Sequence, residues 1–63
     1  MTKASWITAC ANRLIAMRGY RLAEAESEAQ TIAAEQAWRY GDDPARWIAP
    51  WGAADAAKEA TND

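Results

Sequence analysis

The segment from Leu22 to Tyr40, LAEAESEAQTIAAEQAWRY, contains neither Gly nor Pro and is dense in Ala, Glu and Gln. These residue types have high helix propensity, so the segment predicts one long α-helix. Glu24, Glu26 and Glu28 lie near its N-terminus, where the helix dipole stabilises carboxylates. Gly41 follows directly and is typical of a helix end. In a chain of 63 residues, everything else must pack around this helix.

A first helix is predicted from Ser5 to Arg18. Thr2 or Ser5 can cap its N-terminus, and Gly19 suits the left-handed conformation that ends a helix. Its apolar residues recur at helical spacing and form one stripe, with Trp6 on one flank and Ile15 on the other. The stripe contains Ile7, Cys10, Leu14 and Met17.

The short segment between the two helices predicts an antiparallel hairpin. The face of the second helix that meets the first contains Leu22, Ala25, Ala29, Ile32, Gln36 and Tyr40. Trp38 points almost the opposite way, and its indole needs a partner because so large a ring is costly to leave in water. It shares the outer face with small, uncharged residues, namely Ala23, Ser27, Gln30, Ala34 and Ala37.

The stretch RYGDDPARWIAPW, residues 39–51, holds both prolines and two of the four tryptophans. Asp42 or Asp43 can cap a short helix that starts at Pro44, and Pro50 should end it after one to two turns. If the chain doubles back after Gly41, Trp47 and Trp51 come near Trp38. The start of the first helix lies at the same end of the hairpin. We therefore expect the four tryptophans, including Trp6, to converge at the open end of the hairpin.

The fold class predicted is all-α: an antiparallel helical hairpin plus a short third helix, or a three-helix mini-domain. Residues 1–52 form this domain, and residues 53–63 form an Ala-rich polar tail with little to bury and partial order at most. Ala supplies about half of the 51% hydrophobic residues, so the core is thin. A chain this short buries only about 60% of its extended surface.

Composition argues against several functions. The chain has no His and a single cysteine, Cys10, so the usual zinc and Cys–His catalytic patterns are absent. Cys10 is interpreted as a small core residue. We predict no catalytic residues, no cofactor and no metal, and hence no enzyme. The formal net charge of −2 lacks the basic excess typical of nucleic-acid binding.

The same absences predict the location. No apolar run approaches the length of a membrane span, and the N-terminus lacks the apolar core of a signal peptide. With one unpaired cysteine, a reduced, cytoplasmic protein is expected.

The functional hypothesis is a small non-enzymatic protein–protein interaction module, such as an adaptor, small subunit or inhibitor. The predicted partner-binding residues are Trp38, Trp47, Trp51 and Arg46, because Trp and Arg are common in interface hot spots. The alternative for these tryptophans is an aromatic core that closes the hairpin. The outer face of the second helix is covered either by the chain's own third segment or by a second copy in a homodimer. The alternative function is a small helical regulator that contacts nucleic acid.

Overall fold

Within the residues that the structure describes, the regular secondary structure consists of three α-helices and one 3₁₀ turn. The computed structural model describes the backbone of residues 1–61 and the side chains of residues 1–57; Asn62 and Asp63, the end of the predicted tail, lie outside the described residues. Helix α1 spans Lys3–Arg18, α2 spans Leu22–Tyr40, and α3 spans Pro50–Thr61. The predicted all-α fold of a hairpin plus a third helix is confirmed.

Helix α1 is bounded by local signals in the sequence. The Thr2 hydroxyl accepts a hydrogen bond from the Ser5 N–H at 3.1 Å, so Thr2 is the N-cap and the helix starts two residues before the predicted Ser5. At the other end Gly19 has φ 68°, and its N–H donates to the Ile15 carbonyl at 2.9 Å. The left-handed conformation turns the chain toward α2.

Helix α2 has the predicted bounds. The Arg21 N–H donates to the Glu24 carboxylate at 3.3 Å, which satisfies a backbone donor just before the first turn. Gly41, with φ 91°, ends the helix, and its N–H donates to the Ala37 carbonyl at 2.9 Å.

The segment after α2 differs from the prediction. Asp43 caps a single 3₁₀ turn, Pro44–Arg46, by accepting from the Ala45 N–H at 3.1 Å. Pro50 begins α3 instead of ending a helix. Proline suits the first helical turn, because its fixed φ is helical and the N–H it lacks has no acceptor there.

The core is built mainly from α1, α2 and alanines of α3. Ile15, on one flank of the α1 stripe, is partly buried and packs against this core. Met17, Leu22 and Tyr40 were expected on the buried faces but are 45%, 62% and 41% exposed, and each lies in the first or last turn of its helix. The buried residues are Trp6, Cys10, Ala11, Leu14, Ala25, Ala29, Ile32, Ala33, Gln36, Trp47, Pro50, Ala53 and Ala54.

Helix α3 crosses the predicted division between residues 52 and 53. Ala53 and Ala54 are buried in the core, so the expectation that this segment has little to bury is wrong for these two residues. Arg13 of α1 forms a two-pronged ion pair with Asp55 of α3, with both N–O distances at 3.1 Å. The helices therefore run up, down and up, with α3 beside α1.

Candidate interaction surface

Trp6 and Trp47 form a buried pair at the open end of the hairpin. Their ring centroids lie 5.1 Å apart at an interplanar angle of 88°, an edge-to-face arrangement. The Trp6 indole N–H donates to the Ile48 carbonyl at 3.0 Å, and the Trp47 indole N–H donates to the Gly41 carbonyl at 2.7 Å. Trp47 was predicted as a partner-binding residue, but it is only 7% exposed and closes the core instead.

Gln36 holds the connection between α2 and α3 in place. Its side-chain carbonyl accepts from the Ile48 N–H at 3.1 Å, and the residue is buried. A polar side chain on a core-facing position needs such a partner, because burying an unpaired amide is costly. A Gln on a core-facing position therefore predicts a hydrogen bond from its side chain, but the sequence does not reveal which group is the partner.

The four tryptophans do not converge. Trp38 is 85% exposed and Trp51 is 59% exposed. The connection after α2 crosses the open end toward α1, where Ile48 meets Trp6, so it leaves the outer face of α2 uncovered.

Trp51 lies one turn before Asp55, which binds Arg13, and therefore lies on the side of α3 nearest α1. Trp38 and Trp51 are thus on different faces of the molecule.

Arg46 is exposed at the end of the 3₁₀ turn, on the connection between α2 and α3. Trp47 is buried, and Trp38 and Trp51 lie on different faces, so the predicted partner-binding tryptophans do not form a single exposed patch.

The outer face of α2 is a continuous, uncharged strip. Ala23, Ser27, Gln30, Ala34 and Trp38 are exposed, so the expectation that the chain's own third segment covers this face is wrong for them, whereas Ala37 is partly buried and packs against the core. The Thr31 hydroxyl donates to the Ser27 carbonyl at 3.2 Å, so it is turned toward its own backbone. The result is a surface of small side chains with one large indole at its C-terminal end. We call this surface the outer strip: Ala23, Ser27, Gln30, Thr31, Ala34 and Trp38.

Carboxylates border the outer strip on both sides. By helical spacing Glu24, Glu28 and Glu35 lie along one border, and Glu26 lies on the other. Glu35 forms an ion pair with Arg39 at 3.0 Å, and both side chains are more than half exposed, so the pair contributes little to stability.

A groove of about 230 Å³ lies between α2 and α3. It exists because α3 contributes only alanines to this seam, which are too short to fill the space. Its walls mix apolar residues with the Glu35–Arg39 ion pair, and it lies beyond the acidic border from Trp38. The lining residues are Ile32, Glu35, Gln36, Arg39, Ile48, Ala53, Ala56 and Ala57.

Cys10 is placed as a core residue. Its pKa is raised to about 11, first because burial disfavours the thiolate and second because Glu28 is a nearby negative charge. The thiol is therefore protonated at neutral pH, whereas a nucleophilic cysteine needs a lowered pKa. Among the residues with described positions, no three His, Cys, Asp or Glu side chains are grouped so that they could hold a metal ion.

None of the helices within the described part of the chain is both long and apolar enough to cross a membrane. Comparisons with protein-family models, with curated proteins and with solved structures gave no match.

Proposed function

We propose that the protein is a non-enzymatic protein–protein interaction module whose contact surface is the outer strip of α2. The observation that carries this proposal is the exposure of Trp38, 85% of whose surface faces solvent at the end of an uncharged helix face. Small neighbours let a partner's backbone come close to α2, and the indole provides an anchor of the kind that dominates interface energetics.

Burial of Trp38 by a partner would supply a large part of the binding free energy. A tryptophan buries roughly 150–250 Å². At about 25 cal/mol per Å² this is up to about 4–6 kcal/mol, before the costs of association are subtracted. No other exposed residue of the outer strip offers a comparable area, so Trp38 is the residue whose loss should abolish binding.

The chemistry of the chain supports an interaction role over catalysis. Cys10 is buried and its pKa is raised, which does not suit a nucleophile. Among the described side chains, no nucleophile is paired with a base. A single buried thiol also fits the reducing cytoplasm, which is the location we propose.

Charge favours a protein partner over nucleic acid. Arg13 and Arg39 are each paired with a carboxylate of the same chain, and the outer strip is bordered by glutamates. Phosphates would be repelled from that surface.

A second copy of the chain is the other occupant that the sequence suggests for the outer strip. The homodimer stays a prediction, and sedimentation velocity across micromolar concentrations tests it. A monomer at every concentration would remove self-association and leave a different protein as the partner.

Site-specific photo-crosslinking in cells tests the proposed function. A photoreactive benzoylphenylalanine at Thr31, on the outer strip, should yield a discrete crosslinked species. The Trp38→Ala substitution should abolish that species, because it removes the anchor two turns away. The matched control carries the probe at Asn12, an exposed position on α1, and should give no such species.

Two results would contradict the proposal. One is the absence of a discrete crosslinked species from position 31. The other is a species that survives Trp38→Ala but is lost with Trp51→Ala, which would place the contact surface on the side of α3 nearest α1.

A further inference from the structure

We infer that the partner of the outer strip is an α-helix whose small or apolar face is flanked by Lys and Arg residues, and not a second copy of this chain. The inference rests on the proposed function, because it names the chemistry of the partner that the outer strip binds. It is argued from the shape of the strip and from the charges along its two borders.

The shape of the outer strip suits a helix. From Ala23 to Trp38 it runs for about 22 Å, at about 1.5 Å per residue, and it is one helix face wide. Alanine and serine side chains leave the backbone of α2 close to the surface, which permits the short interaxial distances of helix packing. Trp38 at one end would fill the space beside a partner helix.

The glutamates along the borders of the outer strip determine which charges are favoured on the partner helix. Residues 22–40 contain four glutamates and one arginine, a net charge of 1 − 4 = −3. The arginine, Arg39, is already paired with Glu35. A helix lying along the strip places its flanking side chains within about 10 Å of these carboxylates, where charges still interact at ordinary salt concentrations. Basic flanks are therefore favoured on both sides.

The same borders disfavour a second copy. In an antiparallel two-fold pair of α2 helices centred on the strip, the border with three glutamates faces itself in reverse order, so Glu28 comes near Glu35 of the other copy, while Glu24 comes near an Arg39 that is already paired with Glu35. In a parallel two-fold pair, this border faces the one with Glu26. Both arrangements bring glutamates of the two copies close together, and this repulsion disfavours self-association.

A displayed library of helical 21-residue peptides tests the inference. One face of each peptide is varied among Ala, Ser, Leu, Met and Phe, and each flanking position carries Lys, Gln or Glu with equal frequency. Peptides are selected on the wild-type protein and counter-selected on Trp38→Ala. We expect Lys to be enriched several-fold over Gln at the flanking positions of the selected peptides, and Glu to be depleted.

Variants of the protein test the borders directly. For a selected Lys-flanked peptide, the Glu24→Gln/Glu35→Gln double variant should bind about five- to tenfold more weakly at low salt, since each lost charge pair contributes modestly. Glutamine at position 24 can still accept the bond from the Arg21 N–H, so the start of α2 is kept. The matched control, Asn12→Lys/Ala16→Lys, changes the net charge by the same amount on the exposed face of α1 and should bind like the wild type.

The outcomes separate the two proposals. Trp38-dependent peptides with neutral or acidic flanks would overturn the basic partner and leave the interaction module in place. Equal weakening by the border variant and the α1 control would also overturn it, because binding would then follow net charge alone. A stable dimer in which Trp38 is shielded would replace the basic helix with a second copy. If no peptide depends on Trp38, the helical partner is overturned, and the crosslink from position 31 decides whether the interaction module survives.

Discussion

The four tryptophans contribute to different properties of the molecule. Trp6 is 1% exposed, contacts Trp47 edge to face and donates its indole N–H to the Ile48 carbonyl. The core contains few other large side chains, since most of its members are alanines. Stability at the residue scale therefore depends on Trp6 and Trp47, whereas Trp38 contributes to the surface alone.

We predict that replacement by Phe destabilises the protein at Trp6 but has little effect at Trp38. Trp6→Phe loses a hydrogen bond and leaves a cavity, which should lower the free energy of unfolding by about 1–3 kcal/mol. Trp38→Phe should change it by less than about 0.5 kcal/mol, because the ring is exposed. Urea unfolding followed by circular dichroism measures both. Equal midpoints for the two variants would contradict the buried position of Trp6.

The raised pKa of Cys10 predicts that the protein loses stability at high pH. Its folded-state pKa is raised from 9.0 to about 11, so below pH 9 it is protonated in both the folded and unfolded states. Between pH 9 and 11 the unfolded state ionises first, and the free energy of unfolding should fall by roughly 1.4 kcal/mol per pH unit from this group. Cys10→Ala is the control, because other groups titrate in this range. The wild type should lose more stability than the variant between pH 9 and 11; identical slopes would show that burial does not suppress ionisation.

At the scale of helices and turns, the bounds of α1 and α2 follow from local chemistry. The caps at Thr2 and Gly19 and the stop at Gly41 act within one turn of their own positions, so the sequence is sufficient to predict them. The path of residues 41–49 is set by contacts across the fold, above all the bonds from Trp6 and Gln36 to Ile48. These contacts join residues distant in sequence, so the exposure of Trp38 could not be predicted from spacing alone.

Replacement by Ala should change the free energy of unfolding in opposite directions at Gly19 and Gly52. Gly19 has φ 68°, which costs an alanine about 1–2 kcal/mol, although nothing lies within 4 Å of the added Cβ. Gly52 lies in helix α3, and an added Cβ would be 3.4 Å from the Ile48 side chain. Gly52→Ala should therefore stabilise the protein by roughly 0.5–1 kcal/mol. Urea midpoints should shift down for Gly19→Ala and up for Gly52→Ala; a shift in the same direction would contradict one of the two backbone conformations.

At the scale of the whole molecule, α3 has too few large residues to pack by hydrophobic area alone. It is placed by two small alanines that approach the core closely, Ala53 and Ala54, and by the Arg13–Asp55 ion pair with α1. The ion-pair hydrogen bonds and the charge of Asp55 raise the pKa of Arg13 further, so the guanidinium stays protonated over the whole accessible pH range. Alanine at these positions looked like low-complexity tail in the sequence, because propensity does not distinguish an alanine that packs from one that is solvated.

Truncation decides whether the domain ends at residue 52 or includes α3. A chain that ends after Gly52 lacks Ala53, Ala54 and the partner of Arg13, so the core on the α3 side of α1 would face water. Because a domain of this size has only a few kcal/mol of stability, we expect this chain to lose cooperative thermal unfolding. The control ends after Thr61, keeps α3 complete and should melt like the full chain. An Asp55→Asn variant of the full chain separates the ion pair from the packing and should still unfold cooperatively. If the chain ending at Gly52 keeps the melting temperature of the full chain, residues 1–52 are the domain and α3 is an appendage to it.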